Sequence, residues 1–327
     1  MMAASRFSLG SRSGGSPLDV RLLRDGVTES VHRAHAVVVD VRGRVLMRAG
    51  DAGLTTFIRS ALKPIQATLL ISSGAADHYG LRERELAIAC ASHAGTVAHA
   101  RVAFRILWQA RIDPRQLQCP VPEGRTNSLE HNCSGKHAAF LAVCRQMGWP
   151  LETYMAADQP LQQEVVRRVA QLLGMPSQEL PVARDDCGVP TLQLQLCQMA
   201  LLYALLSASD QPDLERLSRS MLAQPALVAG QGRFDTELMR LGLGMVVSKS
   251  GAEGIQCLGR VGQGLGMAIK VEDGSGRAKY AVALHLLEQL GWITSDTIAE
   301  LGLRFRELGP HLKLRVEGEL RFDGQNV

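Results

Sequence analysis

Long apolar runs are missing from this 327-residue sequence. The longest, at residues 199–206, is far shorter than the roughly 20 residues that a membrane-spanning helix needs. Residues 1–17 are polar and rich in Ser, Gly and Arg, and they lack the apolar segment of a secretory signal. We therefore expect no membrane span, a flexible leader over residues 1–17, and a cytoplasmic protein.

A block of basic residues is missing as well. The formal net charge is +4, and the Lys and Arg residues spread along the chain, so no electrostatic footprint for nucleic acid stands out. We expect no nucleic-acid partner. The hydrophobic content of 46% is ordinary for a soluble globular protein.

The seven cysteines form no C-x-x-C pair. An odd count without an export signal favours thiols and metal ligands over a disulfide framework. Four of them lie among apolar neighbours, where a free cysteine behaves as a small hydrophobe; these are Cys90, Cys144, Cys197 and Cys257. We expect most of the thiols to be buried.

Short apolar runs at residues 36–39 and 45–47, split by a turn at 40–43, predict a hairpin within 18–50. A helical spacing follows over 60–73. Pro64 is tolerable in a helix only in the first turn, so this helix should begin close to Ser60.

Further patterns organise the rest of the chain. Helical spacings occur at 83–92, 98–111, 135–147, 159–174, 191–207 and 213–222, strand-like runs at 244–248, 255–261 and 266–272, and a last helix at 278–291. Strands, then helices, then strands predict one α/β domain over 18–327 whose sheet comes from both chain ends. A helical subdomain at about 75–225 would be inserted between them.

An S-x-x-K motif, Ser60 to Lys63, stands at the predicted helix start. Residues three apart share a helix face, so the Lys63 amine can reach the Ser60 hydroxyl. A serine becomes a nucleophile when a base removes its proton, and a lysine can serve once its pKa is lowered. Downstream, Lys249-Ser250-Gly251 completes the S-x-x-K and K-[ST]-G pairing of β-lactamases and penicillin-binding proteins. Ser92 is the nearest replacement for the middle element of that set.

Cysteine and histidine cluster in residues 131–137 (HNCSGKH), and Cys187 follows about fifty residues later in 185–190 (DDCGVP). The spacing fits a metal site with an open position, for which it favours His131 or His137 as a ligand. The other interpretation makes Cys133 a nucleophile with His131 or His137 as its base.

Together these motifs resemble the asparaginase II family, the Rhizobium-type or class 3 L-asparaginases. The resemblance covers about residues 20–290, and the matching segments are 57–66 (FIRSALKPIQ), 91–93 (ASH), 132–137 (NCSGKH), Asp185 with 187–190 (CGVP), 228–235 (VAGQGRFD), 249–254 (KSGAEG) and 270–274 (KVEDG). It implies a β-lactamase-like serine hydrolase fold with an antiparallel sheet, a homodimer, and hydrolysis of L-asparagine to aspartate and ammonia.

The resemblance also implies site residues. Ser60 with Lys63 and Ser92 with Lys270 would form two serine–lysine pairs, and which serine is the nucleophile stays open. Zinc would be held by two cysteines and a lysine, namely Cys133, Lys136 and Cys187. We expect substrate contacts from Asp185 toward an α-ammonium, from Arg59 toward a carboxylate, and from His93, Lys249 and Gly251.

The sequence departs from the family pattern beside this site, with His131 in place of an Asn and Asp186 in place of a Gly. These changes bear on substrate preference and zinc affinity. Two other functions stay open. One is a glutamine-preferring or β-lactam-reactive serine amidohydrolase, and the other is a catalytically inactive zinc-binding protein on the same scaffold.

Overall fold

A computed structural model describes residues 15–323. All but the last three residues of the predicted leader lie outside the described residues. Contacts within the chain divide it into two compact units: unit 1 takes in the chain up to Ala61, Leu194–Ser209, and the chain from Glu237 onward, while unit 2 comprises Leu62–Gln193 and Asp210–Thr236. The predicted extent of a helical subdomain, about 75–225, stays a prediction.

Unit 1 is built on an antiparallel sheet. Its strands are β1 (Leu18–Arg24), β2 (Val27–Asp40), β3 (Val45–Ala49), β7 (Val246–Ser250), β8 (Ile255–Arg260), β9 (Leu265–Val271), β10 (Glu307–Gly309), β11 (Leu312–Glu317) and β12 (Arg321–Phe322). They follow the order β10-β11-β1-β2-β9-β8-β7, with β3 on β2 and β12 on β3. The first and last parts of the described chain therefore meet in one sheet, and the predicted α/β class with an antiparallel sheet from both ends is confirmed.

The predicted hairpin is strands β2 and β3, where Val38 pairs with Met47. Its turn is fixed by Asp40, whose Oδ1 accepts hydrogen bonds from the backbone N–H groups of Arg42 (2.9 Å) and Arg44 (3.0 Å). A short polar side chain that satisfies its own turn is a common way to end a strand.

Helices α7 (Leu196–Ser207), α11 (Gly276–Gln289) and α12 (Ser295–Phe305) also belong to unit 1, and so does the short strand β4 (Thr55–Phe57). Helix α7 packs closely on the sheet, because a β-carbon at Gly259 of β8 would lie 2.6 Å from the carbonyl oxygen of Tyr203. The predicted helix 191–207 is wrong over its first five residues. These lie in strand β6 (Pro190–Gln195), whose Thr-Leu-Gln-Leu-Gln sequence has the two-residue period of a strand.

Unit 2 is mainly helical. Its helices are α1 (Lys63–Ser72), α2 (Ala75–His78), α3 (Glu83–Ala89), α4 (Val97–Gln109), α5 (Ser134–Met147), α6 (Pro160–Leu173), α8 (Pro212–Ala223) and α9 (Pro225–Val228), and α10 (Phe234–Leu241) crosses the unit boundary along the chain. Strand β5 (Val182–Arg184) pairs antiparallel with β6.

Helices α1, α3 and α4 pack against α5. At Gly135 the backbone of α5 comes so close to α3 that a β-carbon would overlap the Ile88 carbonyl. Within the described ranges, no helix is long and apolar enough to cross a bilayer.

Candidate active site

Lys63 is the first residue of α1 and one of the most buried side chains of the molecule. Pro64 occupies the first turn, where its missing N–H costs no helical hydrogen bond. The Lys63 Nζ donates to the Ala91 carbonyl at 2.7 Å and lies 2.9 Å from Ser92 Oγ and 3.1 Å from Cys133 Sγ. One amine thus touches a hydroxyl and a thiol, both of which can exchange a proton with it.

Ser92 lies in the loop between α3 and α4 and is half-buried. Its backbone N–H donates to the Val228 carbonyl at 2.9 Å, and the Arg233 guanidinium reaches its carbonyl oxygen at 3.4 Å. Both partners belong to segment 228–235, to which the sequence analysis assigned no role. This segment therefore holds the Ser92 backbone. No pattern in the sequence pointed to that contact.

His93 is the next residue in this loop, and its imidazole is almost fully buried. Its Nδ1 accepts the Gly95 N–H at 3.1 Å, so Nε2 carries the proton and donates to Ser134 Oγ at 3.0 Å; Ser134 in turn donates to the Leu129 carbonyl. Burial, together with the neighbouring charges of His99 and Lys63, lowers the pKa of His93 well below its ordinary value. A neutral ring with both nitrogens satisfied favours a supporting role for His93 over direct contact with substrate.

The three predicted zinc ligands converge in unit 2. Lys136 Nζ donates to Cys187 Sγ at 2.9 Å, and the Cys133 and Cys187 thiols share a hydrogen bond. That bond lowers the pKa of Cys133 well below its ordinary value despite burial, and the charges of Lys63 and Lys136 act in the same direction. The same bond, with burial, raises the pKa of Cys187.

Two sulfurs and an amine in contact fit a zinc ion, which accepts sulfur and nitrogen donors. Among residues 15–323, no cluster of three or more His, Cys, Asp or Glu side chains is placed to hold a metal. The predicted set does not depend on such a cluster, since its third donor is Lys136. The seven cysteines all lie among the described residues, where they are buried and form no disulfide, as expected from the sequence.

Asp185 and His131 flank the sulfurs. Asp185 Oδ1 accepts the backbone N–H of Asp186 at 3.0 Å, while its Oδ2 lies 3.8 Å from Cys187 Sγ. His131 Nδ1 accepts the backbone N–H of Cys133 at 3.1 Å. The two departures from the family pattern, His131 and Asp186, therefore lie next to the proposed ligands.

Ser60 and Arg59 belong to unit 1, in a 3-10 turn (Arg59–Leu62) that follows β4. Arg59 has a φ of +53°, a left-handed conformation that is uncommon for a residue with a side chain. Strain of this kind concentrates at functional sites. The sequence did not predict this left-handed backbone, because an arginine residue does not indicate one.

Unit 1 also holds the predicted residues Lys249, Gly251 and Lys270. The Lys249 Nζ is fully buried and donates to the Ser250 carbonyl at 2.7 Å. Gly251 lies against the turn before Ser60, since a β-carbon there would be 2.9 Å from the Ile58 carbonyl oxygen. A glycine is therefore required at this close approach.

The Lys270 amine donates to the carbonyls of Val271 (2.6 Å), Glu253 (2.7 Å) and Glu272 (3.5 Å). Burial lowers the pKa of Lys270, although the charges of Glu253, Asp273 and Glu272 oppose that shift. The carboxylates of Asp273 and Glu272 are themselves bonded to His32 and His35.

The structure thus brings together six predicted residues in unit 2, namely Lys63, Ser92, Cys133, Lys136, Asp185 and Cys187. Ser60 with Lys63, and Ser92 with Lys270, are pairs whose members belong to different units, and both pairings stay predictions. The contact that unit 2 itself contains is Lys63 with Ser92.

Comparison with protein families finds one whose model, described as L-asparaginase II, matches residues 20–322. This match places the chain in the amidohydrolase class of enzymes. More particularly, the chain belongs to the L-asparaginase II family, as its motifs predicted. A comparison with curated proteins finds no match.

Solved structures resemble the chain only distantly. The native form of a protein named Mglu is 14% identical with a TM-score of 0.40, covering 81% of this chain and 66% of that chain. A Bacillus glutaminase is 11% identical (0.39; 80% and 91%), and a β-lactamase from Mycobacterium bovis is 13% identical (0.38; 80% and 95%). The chain spans just under two thirds of the Mglu chain, and at such scores the likeness says nothing about activity.

Proposed function

We propose that the protein hydrolyses the side-chain amide of L-asparagine to L-aspartate and ammonia through a serine acyl-enzyme. The observation that carries this proposal is the buried Lys63 amine at 2.9 Å from Ser92 Oγ. Membership of the L-asparaginase II family supports the substrate class.

Lys63 is the general base in this mechanism. Because the Ala91 carbonyl can only accept, it fixes one N–H of the amine and leaves the lone pair of the neutral form to take a serine proton. The serine oxygen then bonds to the amide carbon, the C–N bond breaks, and nitrogen leaves as ammonia with the proton returned to it. Water hydrolyses the remaining ester and regenerates the serine.

Two serines are candidates for the nucleophile. The resemblance favours Ser60, which is half-buried and directly follows the left-handed backbone of Arg59. The hydrogen bond to Lys63 favours Ser92. In either case the other serine and Lys270 support the reaction by orienting groups or relaying protons.

Zinc would be held by Cys133, Cys187 and Lys136. When bound, it would cross-link segments 131–137 and 185–190 and keep them in place for substrate binding. With serine and lysine supplying nucleophile and base, these ligands serve binding more than chemistry. In unit 2 Asp185 would bind the substrate α-ammonium. The substrate contacts of Arg59, His93, Lys249 and Gly251 stay predictions.

The test is ammonia release from L-asparagine and L-glutamine, with hydrolysis of a chromogenic β-lactam measured in parallel. We expect asparagine to be favoured over glutamine. If the pocket fits the shorter side chain, the extra methylene of glutamine should cost about 1–3 kcal/mol of transition-state binding. Turnover of glutamine or of the β-lactam faster than that of asparagine would contradict the proposed substrate but not the proposed reaction type. No turnover of any of them, with zinc bound, would favour the inactive zinc-binding protein.

Ser60→Ala and Ser92→Ala then identify the nucleophile, with the exposed Ser72→Ala as the matched control. The nucleophile variant should lose several orders of magnitude in kcat and give no acyl-enzyme by mass spectrometry under rapid quench. If both variants keep more than about a tenth of wild-type kcat, covalent serine catalysis is wrong. A homodimer, a cytoplasmic location and the absence of a nucleic-acid partner stay predictions, and light scattering would test the first.

A further inference from the structure

Lysine is distributed unusually in this chain. The sequence has 36 cationic side chains, of which six are lysines and thirty are arginines. Five of the six lysines are at most 8% exposed, and the sixth, Lys313, is on the surface in an ion pair with Glu307. Charged side chains are rarely buried to this extent unless they have a specific partner and task.

An amine differs from a guanidinium in two useful ways. It can lose its proton when buried, and it is a compact donor that a single carbonyl can satisfy, whereas arginine stays charged and needs a planar set of acceptors. Four of the buried lysines have proposed roles: Lys63, Lys136, Lys249 and Lys270. The fifth is Lys279 on α11, to which no motif drew attention.

Lys279 is bonded to the same turn as two of the others. Its Nζ donates to the Gly251 carbonyl at 2.6 Å and lies 5.1 Å from the centre of the Tyr280 ring. In the same turn Lys249 donates to the Ser250 carbonyl at 2.7 Å, and Lys270 donates to the Glu253 carbonyl at 2.7 Å. Three buried amines therefore hold three carbonyls within four consecutive residues.

That turn has little freedom to adjust. Glu253 and Gly254 both have left-handed backbones, with φ of +54° and +74°. At Gly251 a β-carbon would lie 2.9 Å from the Ile58 carbonyl oxygen, which places the turn against the residues that lead into Ser60. One side of the turn thus supports the Ser60 segment, and its other end holds the Lys270 amine.

We propose that Lys279 is a positioning residue for the active site, holding the Ser250–Glu253 turn so that Lys270 and the Ser60 segment keep their places. The proposal rests on the proposed amidohydrolase function, and it adds a residue that the family motifs do not include. Lys279 touches neither substrate nor reacting atoms in this scheme. Its effect on the reaction passes through the Gly251 carbonyl.

Lys279→Met tests this, because it keeps the length of the side chain and removes the donor. We expect kcat to fall by about 10-fold or more, as small displacements of catalytic groups do, with KM within about 2-fold. The alkaline limb of the kcat profile should also move, because Lys270 and its neighbours Glu253, Glu272 and Asp273 would be rearranged. A purely structural lysine would lower the amount of folded enzyme without moving that limb.

Lys313→Met is the matched control and should match wild type in every measurement. Lys279→Gln keeps an N–H donor, so it should recover part of the lost kcat, and it decides the question if Lys279→Met fails to fold. Wild-type kcat and an unmoved pH profile in either folded variant would overturn the proposal.

Failure of the proposed function would be visible separately, as a wild-type protein inactive on every amide tested. Hydrogen exchange at the amides of residues 250–254 then decides the role of Lys279. Exchange at least about 10-fold faster in Lys279→Met than in wild type would support a positioning role. An unchanged exchange rate would contradict the positioning role of Lys279.

Discussion

Lys63 and Lys270 are both buried amines, but their partners differ. Lys63 contacts a serine hydroxyl and a cysteine sulfur as well as a carbonyl. Lys270 donates to three carbonyls, which cannot give or take a proton, and it lies in the field of three carboxylates. The difference suggests a division of work, in which Lys63 moves protons and Lys270 acts as a fixed positive charge.

The largest expected effect comes from removing each amine in turn. Lys63→Met should lose about 10³-fold or more in kcat, because a general base contributes 10²–10⁴-fold. Lys270→Met should lose about 10²-fold, the lower end of what loss of one electrostatic contact costs. Steady-state kinetics on both variants measures this, with circular dichroism to check the fold. Equal losses would remove the distinction between the two lysines.

Replacing His93 should impair the role of Lys63 and Ser92 and leave that of Lys270 unchanged. His93→Leu removes the hydrogen bonds to Gly95 and Ser134 from the residue that follows Ser92, and we expect kcat to fall about 10-fold with KM little changed. The exposed His78→Leu is the control. A rise in KM with kcat unchanged would instead mean that His93 binds substrate.

The zinc ligands should affect binding more than chemistry. Cys133→Ser and Cys187→Ser should bring zinc content near zero, raise KM several-fold, and reduce kcat far less than loss of the nucleophile does. Elemental analysis and kinetics test this together, with the buried Cys257→Ser as the control. Wild-type protein prepared without chelator that holds no zinc would contradict the metal site.

The smallest effect concerns pH. The kcat should fall on the alkaline side as Lys270 loses its charge. Because burial lowers the pKa of Lys270, the fall should begin at a lower pH than for an exposed lysine. Lys270→Arg cannot deprotonate, so whatever activity it keeps should lack the falling limb. A falling limb that survives in Lys270→Arg must come from another group.

Periodicity predicted much of the fold. The hairpin of β2 and β3, helices α3 to α6 and strands β7 to β9 all lie within a few residues of their sequence patterns. The start of α7 was mistaken because Leu192, Leu194 and Leu196 fit a strand as well as a buried helix. Strand β11 was not predicted, since its alternation is short and it depends on pairing with the distant β1.

Some residues of the candidate site could be predicted from the sequence, and others could not. Motif spacing identified Lys63, Cys133 and Cys187, whose contacts in unit 2 the structure describes. It could not identify the Lys63–Ser92 bond, which depends on packing between segments about thirty residues apart. Lys279 and the left-handed Arg59 carry no motif, and their roles emerge from a hydrogen bond and a backbone angle.

The burial of the lysines has a practical consequence for handling the protein. Reagents that couple to primary amines, such as succinimidyl esters or activated beads, need an exposed side-chain nitrogen. Among the lysines, Lys313 alone offers one, because the other five are at most 8% exposed. Attachment through side-chain amines should therefore join the folded protein to a support at one position, on β11, and leave the amines of the proposed site unmodified.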